Sequence, residues 1–187
     1  ISWSEQLIHL AATIITERIM LVNALNPLVS KIYKELNEVK MASIIYKSNI
    51  DGLSANSEQN QSLIKSKLEE VQYQEIERGV TLVGPQRDDL ILQLGEFPAK
   101  GYASHGESWS FAISLKIGAW ELLKSQGLDP ILILDDVFAE LDTNRRTRLV
   151  QATKLAEQTL VTAAVEGDLP EDLNDARFYI SNNKVVN

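Results

Sequence analysis

No cysteine occurs among the 187 residues, so neither a disulfide framework nor a thiolate metal site is available. That composition fits a reducing compartment, and a cytoplasmic location is the expectation. No apolar run approaches the roughly 18–20 residues that span a bilayer, and no membrane association is expected. The opening, ISWSEQLIHLAATII, is polar-interrupted and amphipathic rather than secretory. Histidine is scarce, limited to His9 and His105. Basic charge is in the minority: 18 Lys and Arg face 26 Asp and Glu, for a net charge of −8, which argues against a surface dominated by nucleic-acid phosphate contacts. Arg145, Arg146 and Arg148 do cluster; they read as a solvated helix face, with DNA contact as the sharper alternative. No internal repeat is visible. Ile1 is not an initiator methionine, which implies a segment upstream.

What is present is the texture of a globular chain, 44% hydrophobic and 24% charged. Ser2 and Glu5 form an S-x-x-E capping box, and Trp3, Leu7, Leu10, Ile14, Leu21 and Leu25 recur at helical spacing. Asn26-Pro27 predicts a fresh cap and a second helix facing inward through Leu28, Ile32, Tyr33 and Leu36. Ile44, Ile45 and Tyr46 predict a strand. A third helix, from about Ser57 to about Arg78, has only the thin apolar stripe Leu63, Ile64, Leu68, Val71 and Ile76, and reads as an exposed arm.

GVTLVG and DLILQLG then predict strands joined by a PQRD turn, followed by the loop EFPAKGYASHGE. A heavily buried helix is expected from about Glu107 to Ser125, with Trp109 and Trp120 as core residues and Gly127 as its stop. ILILDD reads as a strand covered on both faces, residues from about Asp142 to Ala156 as a helix capped by Asp142, and TLVTAAV as another buried strand. The end, RFYISNNKVVN, predicts a hairpin turning at Asn182-Asn183. The fold class is α/β, with a largely helical attachment over residues 1–78 and an α/β layer over 79–187.

The stretch PILILDDVFAELD places Asp135 and Asp136 at the end of an oily strand. The carboxyl ends of strands in α/β sheets open into ligand crevices, where an acid can hold magnesium against phosphates and a second can polarise water. A plain strand-terminal turn is the bland alternative. Upstream, Ser104-His105-Gly106 feeds the start of the long buried helix, whose free amides and dipole favour an anion. Ser104 would add a hydroxyl and Gly106 a close backbone approach, while an ordinary N-cap turn is the alternative. His105 reads as an exposed loop residue rather than a phosphate donor.

The ordered set GPQRDDL, YASHGESWSFAISLKIG and ILILDDVFAELD resembles the ATP-binding-cassette ATPase heads, and most closely the C-terminal half of the RecF family of DNA replication and recombinational repair proteins, with SMC and RecN heads as more distant kin. The resemblance implies a partial P-loop NTPase head over residues 79–187 and that family's second domain over 1–78. It implies Ser104 and Gly106 as signature residues touching the γ-phosphate of a nucleotide held by the other subunit. It makes Asp135 the magnesium-holding acid, Asp136 the catalytic base, where most cassette proteins have Glu, and Asp142 the D-loop aspartate near the dimer seam. Thr162 takes the switch position, where no histidine is present. ATP and Mg2+ as cofactors, an ATP-dependent homodimer, DNA junctions or gaps, recombination mediator proteins and a place in the SOS response follow from the same resemblance. Arg87 and Asp88 receive no role beyond a turn salt bridge.

No G-x-x-x-x-G-K-[ST] loop is present in this sequence to cradle β- and γ-phosphates. The chain alone is therefore expected to bind ATP poorly and hydrolyse it negligibly. The competing reading is a non-catalytic protein-interaction module that keeps a degenerate cassette.

Overall fold

The computed structural model describes residues 3–36, 40–139, 141–170, 173, 176–182 and 184–186. Residue contacts group the chain into two compact units, Ile1–Gln126 and Gly127–Asn187.

The first unit is built around helix α1, Trp3–Leu36. The expected break at Asn26-Pro27 does not occur, and the helix runs through Pro27. An internal proline costs about 3 kcal/mol; burial on both sides of it, from Ala11, Ala12 and Ile15 to Val29, Ile32 and Tyr33, offsets that cost. Asn26 does not cap a helix. Its side-chain oxygen accepts from the Ile44 N–H at 2.8 Å, one turn from Ser30, whose hydroxyl donates to the Ala42 carbonyl. Those two backbone groups belong to strand β1, Ala42–Lys47, an edge strand. The helix thus satisfies an edge that would otherwise stand open. By length and composition α1 is long and apolar enough to cross a bilayer, with a mean hydropathy of 1.4 over its best window; in its unit one face, from Ala11, Ala12 and Ile15 to Val29, Ile32 and Tyr33, is buried. Ser2, half of the expected capping box, lies outside the described residues.

Helix α2, Ser57–Arg78, has the expected bounds. Asn56 caps it, accepting from the Glu58 and Gln59 N–H groups, and Gly79 ends it at φ 65°. It is not a free arm: Ile64 and Val71 are buried in one cluster with Ala11, Ala12 and Ile15 of α1. Buried Asn60 donates to Thr16 Oγ1 at 2.9 Å and to the Ser54 carbonyl at 2.7 Å, and accepts from the Ser54 N–H.

GVTLVG is not a strand. The Leu82 and Val83 N–H groups go to the Glu75 carboxylate instead of a ladder. The PQRD turn is present, closed by Arg87 N–H to the Gly84 carbonyl at 2.9 Å. Strand β2, Asp89–Leu94, pairs antiparallel with β1, Ile44 opposite Leu92, and with the short β3, Phe97–Pro98. A single turn, α3, Ala99–Tyr102, leads to α4, His105–Ser125. Helix α4 packs on α1 at Gly118, where an added Cβ would lie 3.3 Å from Leu25 and Val29 side-chain carbons.

The second unit holds β4, Leu132–Asp135, helix α5, Thr143–Thr153, and β5, Thr159–Thr162; β4 and β5 pair in parallel with Asp135 opposite Thr162. Neither strand is covered on both faces as expected. Leu132 and Leu134 are buried, but Ile133 is 64% exposed and Leu160 47%. The final hairpin, β6 Tyr179–Ser181 and β7 Lys184–Val186, has its register closed by Ser181 opposite Lys184, with Asn182 at φ 51°; Asn183 lies outside the described residues. Among the described residues the strands form three sheets, β1-β2-β3, β4-β5 and β6-β7, rather than the single layer read from their order.

Candidate nucleotide-site elements

In the second unit the strand ends bring together Asp135, Asp136 and Thr162. Thr162 Oγ1 donates to the Asp135 carboxylate and accepts the Asp136 N–H at 3.1 Å. That N–H also meets the Thr162 carbonyl at 3.2 Å. The arrangement follows from the parallel register, which sets the last residues of the two strands side by side. Asp136 leaves the strand at φ 52°, a left-handed conformation that Asp tolerates better than most residues. Both aspartates are exposed. Asp142 caps α5, accepting the Arg145 N–H at 2.9 Å and lying 3.5 Å from its guanidinium. Arg146 is tied back by the Leu141 carbonyl at 2.8 Å and lies 3.7 Å from Asp168, so neither arginine is simply solvated as expected.

Magnesium fits this corner chemically. Among the described residues no group of three or more acids and histidines could chelate a metal unaided. One exposed carboxylate at a strand end is nevertheless the donor set that magnesium accepts when phosphates and water complete its shell. Asp135 keeps a second carboxylate oxygen beyond the one that accepts from Thr162.

In the first unit Ser104 is the exposed N-cap of α4 and Gly106 its second residue. The helix starts two residues earlier than expected because Ser104 and Glu107 form a capping box. Ser104 Oγ accepts the Glu107 N–H at 3.3 Å, and Glu107 Oε2 accepts the Ser104 N–H at 2.8 Å. This S-x-x-E pattern is legible in the sequence by the rule that flagged Ser2 and Glu5. Lys40 is not legible in that way. Its ammonium lies 2.7 Å from Glu107 Oε1 across a long sequence separation. The Lys40 ammonium, and then the Ser104 N–H, hold the Glu107 carboxyl down at about 2. His105 opens the helix, exposed, and its Nε2 accepts the Trp109 indole N–H at 3.0 Å. Trp120 is buried as expected, while Trp109 is only half-buried.

Arg87 and Asp88 do not make the expected turn salt bridge with each other but turn to different partners. The Arg87 guanidinium donates twice to the Thr81 carbonyl, at 2.9 and 2.7 Å, and Asp88 accepts from the Tyr46 hydroxyl. A groove of about 620 Å3 along α1 and β1 contains none of the expected site residues.

No family model matches the chain. It is 46% identical over 184 residues to the DNA replication and repair protein RecF of Streptomyces avermitilis, covering 98% of this chain and 49% of the relative. The RecF proteins of Cutibacterium acnes and Nocardioides sp. are 43% and 46% identical, again over 98% of this chain and over 50% and 46% of their own lengths. The solved structure of the recombination mediator protein RecF-ATPrS in the RecFOR pathway superimposes with a TM-score of 0.79 at 25% identity, covering 97% of this chain and 48% of that one. The RecF-ATP structure superimposes with a TM-score of 0.78 at 24% identity, over 98% and 48%. The expected fold class holds, that of a partial ABC-type ATPase head with a mainly helical attachment. The chain spans about half the length of the relatives it matches, and over 98% of its own length it is RecF-like.

Proposed function

We propose that this chain is one half of a RecF-like DNA replication and repair ATPase that closes on ATP as a head-to-head homodimer and thereby controls DNA binding. In this reading Ser104 and Gly106 meet the γ-phosphate of the nucleotide held by the other subunit. Asp135 would hold magnesium, which when bound neutralises phosphate charge. Asp136 orients and deprotonates the attacking water, and Asp142 lines the seam. Residues 79–187 act as the head portion and residues 1–78 as the second domain. Recombination mediator proteins, DNA gaps or junctions, the SOS response and the cytoplasm are the proposed partners and setting.

The observation that carries the reading is the Asp135–Thr162–Asp136 corner, in a chain 43–46% identical to proteins named RecF. The Thr162 hydroxyl pins one carboxylate oxygen of Asp135 and anchors the Asp136 backbone, so both acids are positioned by the sheet rather than by a loose turn. In the same reading the threonine at the end of the neighbouring strand would register a change at the phosphate. Without a phosphate loop of its own, the chain needs one from elsewhere in the protein to act.

The test uses the full-length protein of which this chain is proposed to be part. Ser104→Arg places bulk and charge at the exposed cap, and is expected to abolish ATP-dependent dimerisation in sedimentation velocity while leaving monomer nucleotide binding within about twofold. Asp136→Asn is expected to slow turnover by about 100-fold or more, in keeping with loss of a general base, and to prolong the dimer. Dimerisation by Ser104→Arg at wild-type ATP concentrations would remove the turn from the site and leave the interaction-module reading in its place.

A further inference from the structure

We propose that Lys40 is a positioning residue of the Ser104 turn: its ion pair with Glu107 cancels the capping carboxylate's charge, so that the start of α4 can receive a nucleotide's terminal phosphate. This rests on the reading of the Ser104 turn given above.

The need for such a device is built into the cap. A helix start attracts anions through its unpaired N–H groups and its dipole. Here the capping box brings a carboxylate to the same place, with Glu107 Oε2 on the Ser104 N–H at 2.8 Å. That carboxyl is held down at about 2, so it is ionised throughout the physiological range. A phosphate approaching the His105 and Gly106 amides would meet a full negative charge a few ångströms away. At that range an uncancelled unit charge changes a binding constant by tenfold or more, even under the screening of a surface site.

Lys40 answers that charge from outside the helix. Its Nζ lies 2.7 Å from Glu107 Oε1, the oxygen turned away from the cap, and its side chain is 41% exposed against 16% for Glu107. Its place in the chain makes it a firm support. Two residues later β1 begins, and the edge of that strand is held to α1 by Asn26 and Ser30. The ammonium that cancels Glu107 is thus anchored to the core helix through the strand edge, not carried on a free loop.

The experiment is a charge-compensation set in the full-length protein, reading the ATP concentration that half-saturates dimerisation. Lys40→Met is expected to raise it about tenfold, with the defect shrinking as salt is added. Lys40→Arg keeps the charge and is expected to stay within about twofold of wild type. The double variant Lys40→Met/Glu107→Gln is the decisive one, because glutamine preserves the capping box while removing the charge that Lys40 cancels. It is expected to return to within about twofold of wild type. A double variant as impaired as Lys40→Met, or more so, would show a packing role and overturn the proposal, as would wild-type behaviour of Lys40→Met. Ser104→Arg runs alongside: if it still dimerises, the reading of the turn itself falls; if it fails while Lys40→Met does not, only the role of Lys40 falls.

Discussion

Asp136 joins an unusual backbone conformation to a chemical group. At φ 52° it occupies a region that favours a short polar side chain able to hydrogen-bond locally over a longer one, which gives a physical reason for Asp at this position. Asp136→Glu is expected to destabilise the chain by about 1 kcal/mol in urea denaturation, where Asp136→Asn is nearly neutral. Tyr46 is the second residue whose setting sets its chemistry. Burial, and then its hydrogen bond to Asp88, push its hydroxyl up to about 12. The raised value means that its contribution to stability is complete below the usual tyrosine range near 10 and is lost as pH rises through about 12. An ultraviolet titration is expected to show a late-ionising tyrosine that Tyr46→Phe removes. The same substitution takes the donor from Asp88, whose Oδ1 is buried with no partner among the described residues, and is expected to cost about 1–3 kcal/mol at neutral pH. Glu107 runs the other way. Lowered from 4.5 to about 2, it supports the fold above the ordinary carboxylate range and stops doing so as pH falls toward 2. Glu107→Gln is therefore expected to flatten the acid limb of a denaturation-against-pH curve.

At the scale of elements, two contacts add to the apolar cluster of Val29, Tyr33, Ala42, Ile44 and Phe111 that joins α1, β1 and α4. Asn26 and Ser30, one turn apart on α1, take up a donor and an acceptor of the β1 edge. Asn26→Ala strands the Ile44 N–H and is expected to cost about 1–2 kcal/mol, with faster hydrogen exchange along β1. Gly118 lets α4 approach α1; Gly118→Val has nowhere to put its branches and is expected to cost about 1–3 kcal/mol in thermal or chemical unfolding. The elements also show where sequence reading succeeds. The bounds of α2 are legible because both of its ends are written locally, in the Asn56 cap and in Gly79. GVTLVG has the composition of a strand, but a strand needs a partner ladder, and Glu75 takes its N–H groups first. Asn26-Pro27 carries a start signal that the burial of both flanks overrides.

At the scale of the whole molecule, the second unit leaves several large apolar side chains exposed. Ile131, Ile133 and Leu160 in the second unit, and Phe178, Ile180 and Val185 around the last hairpin, are each 47–76% exposed. Parallel strands are ordinarily covered on both faces, and the relatives are about twice as long as this chain. The isolated chain is expected to bind an apolar dye such as ANS and to self-associate at micromolar concentration in light scattering. Co-expression with the remaining half of a RecF relative is expected to suppress both. Equal dye binding in the two preparations would mean that the other half does not cover these strands. The sequence by itself determined the ends of α2, the paired acids at the strand end, the Ser104-Gly106 turn and the family they resemble, because each is written in neighbouring residues obeying local rules. Tertiary structure alone decided that α1 runs unbroken, that Thr162 clasps Asp135 and Asp136, and that Lys40 cancels Glu107. Those contacts join residues far apart in the chain, and which distant groups meet depends on how whole elements pack rather than on any local pattern.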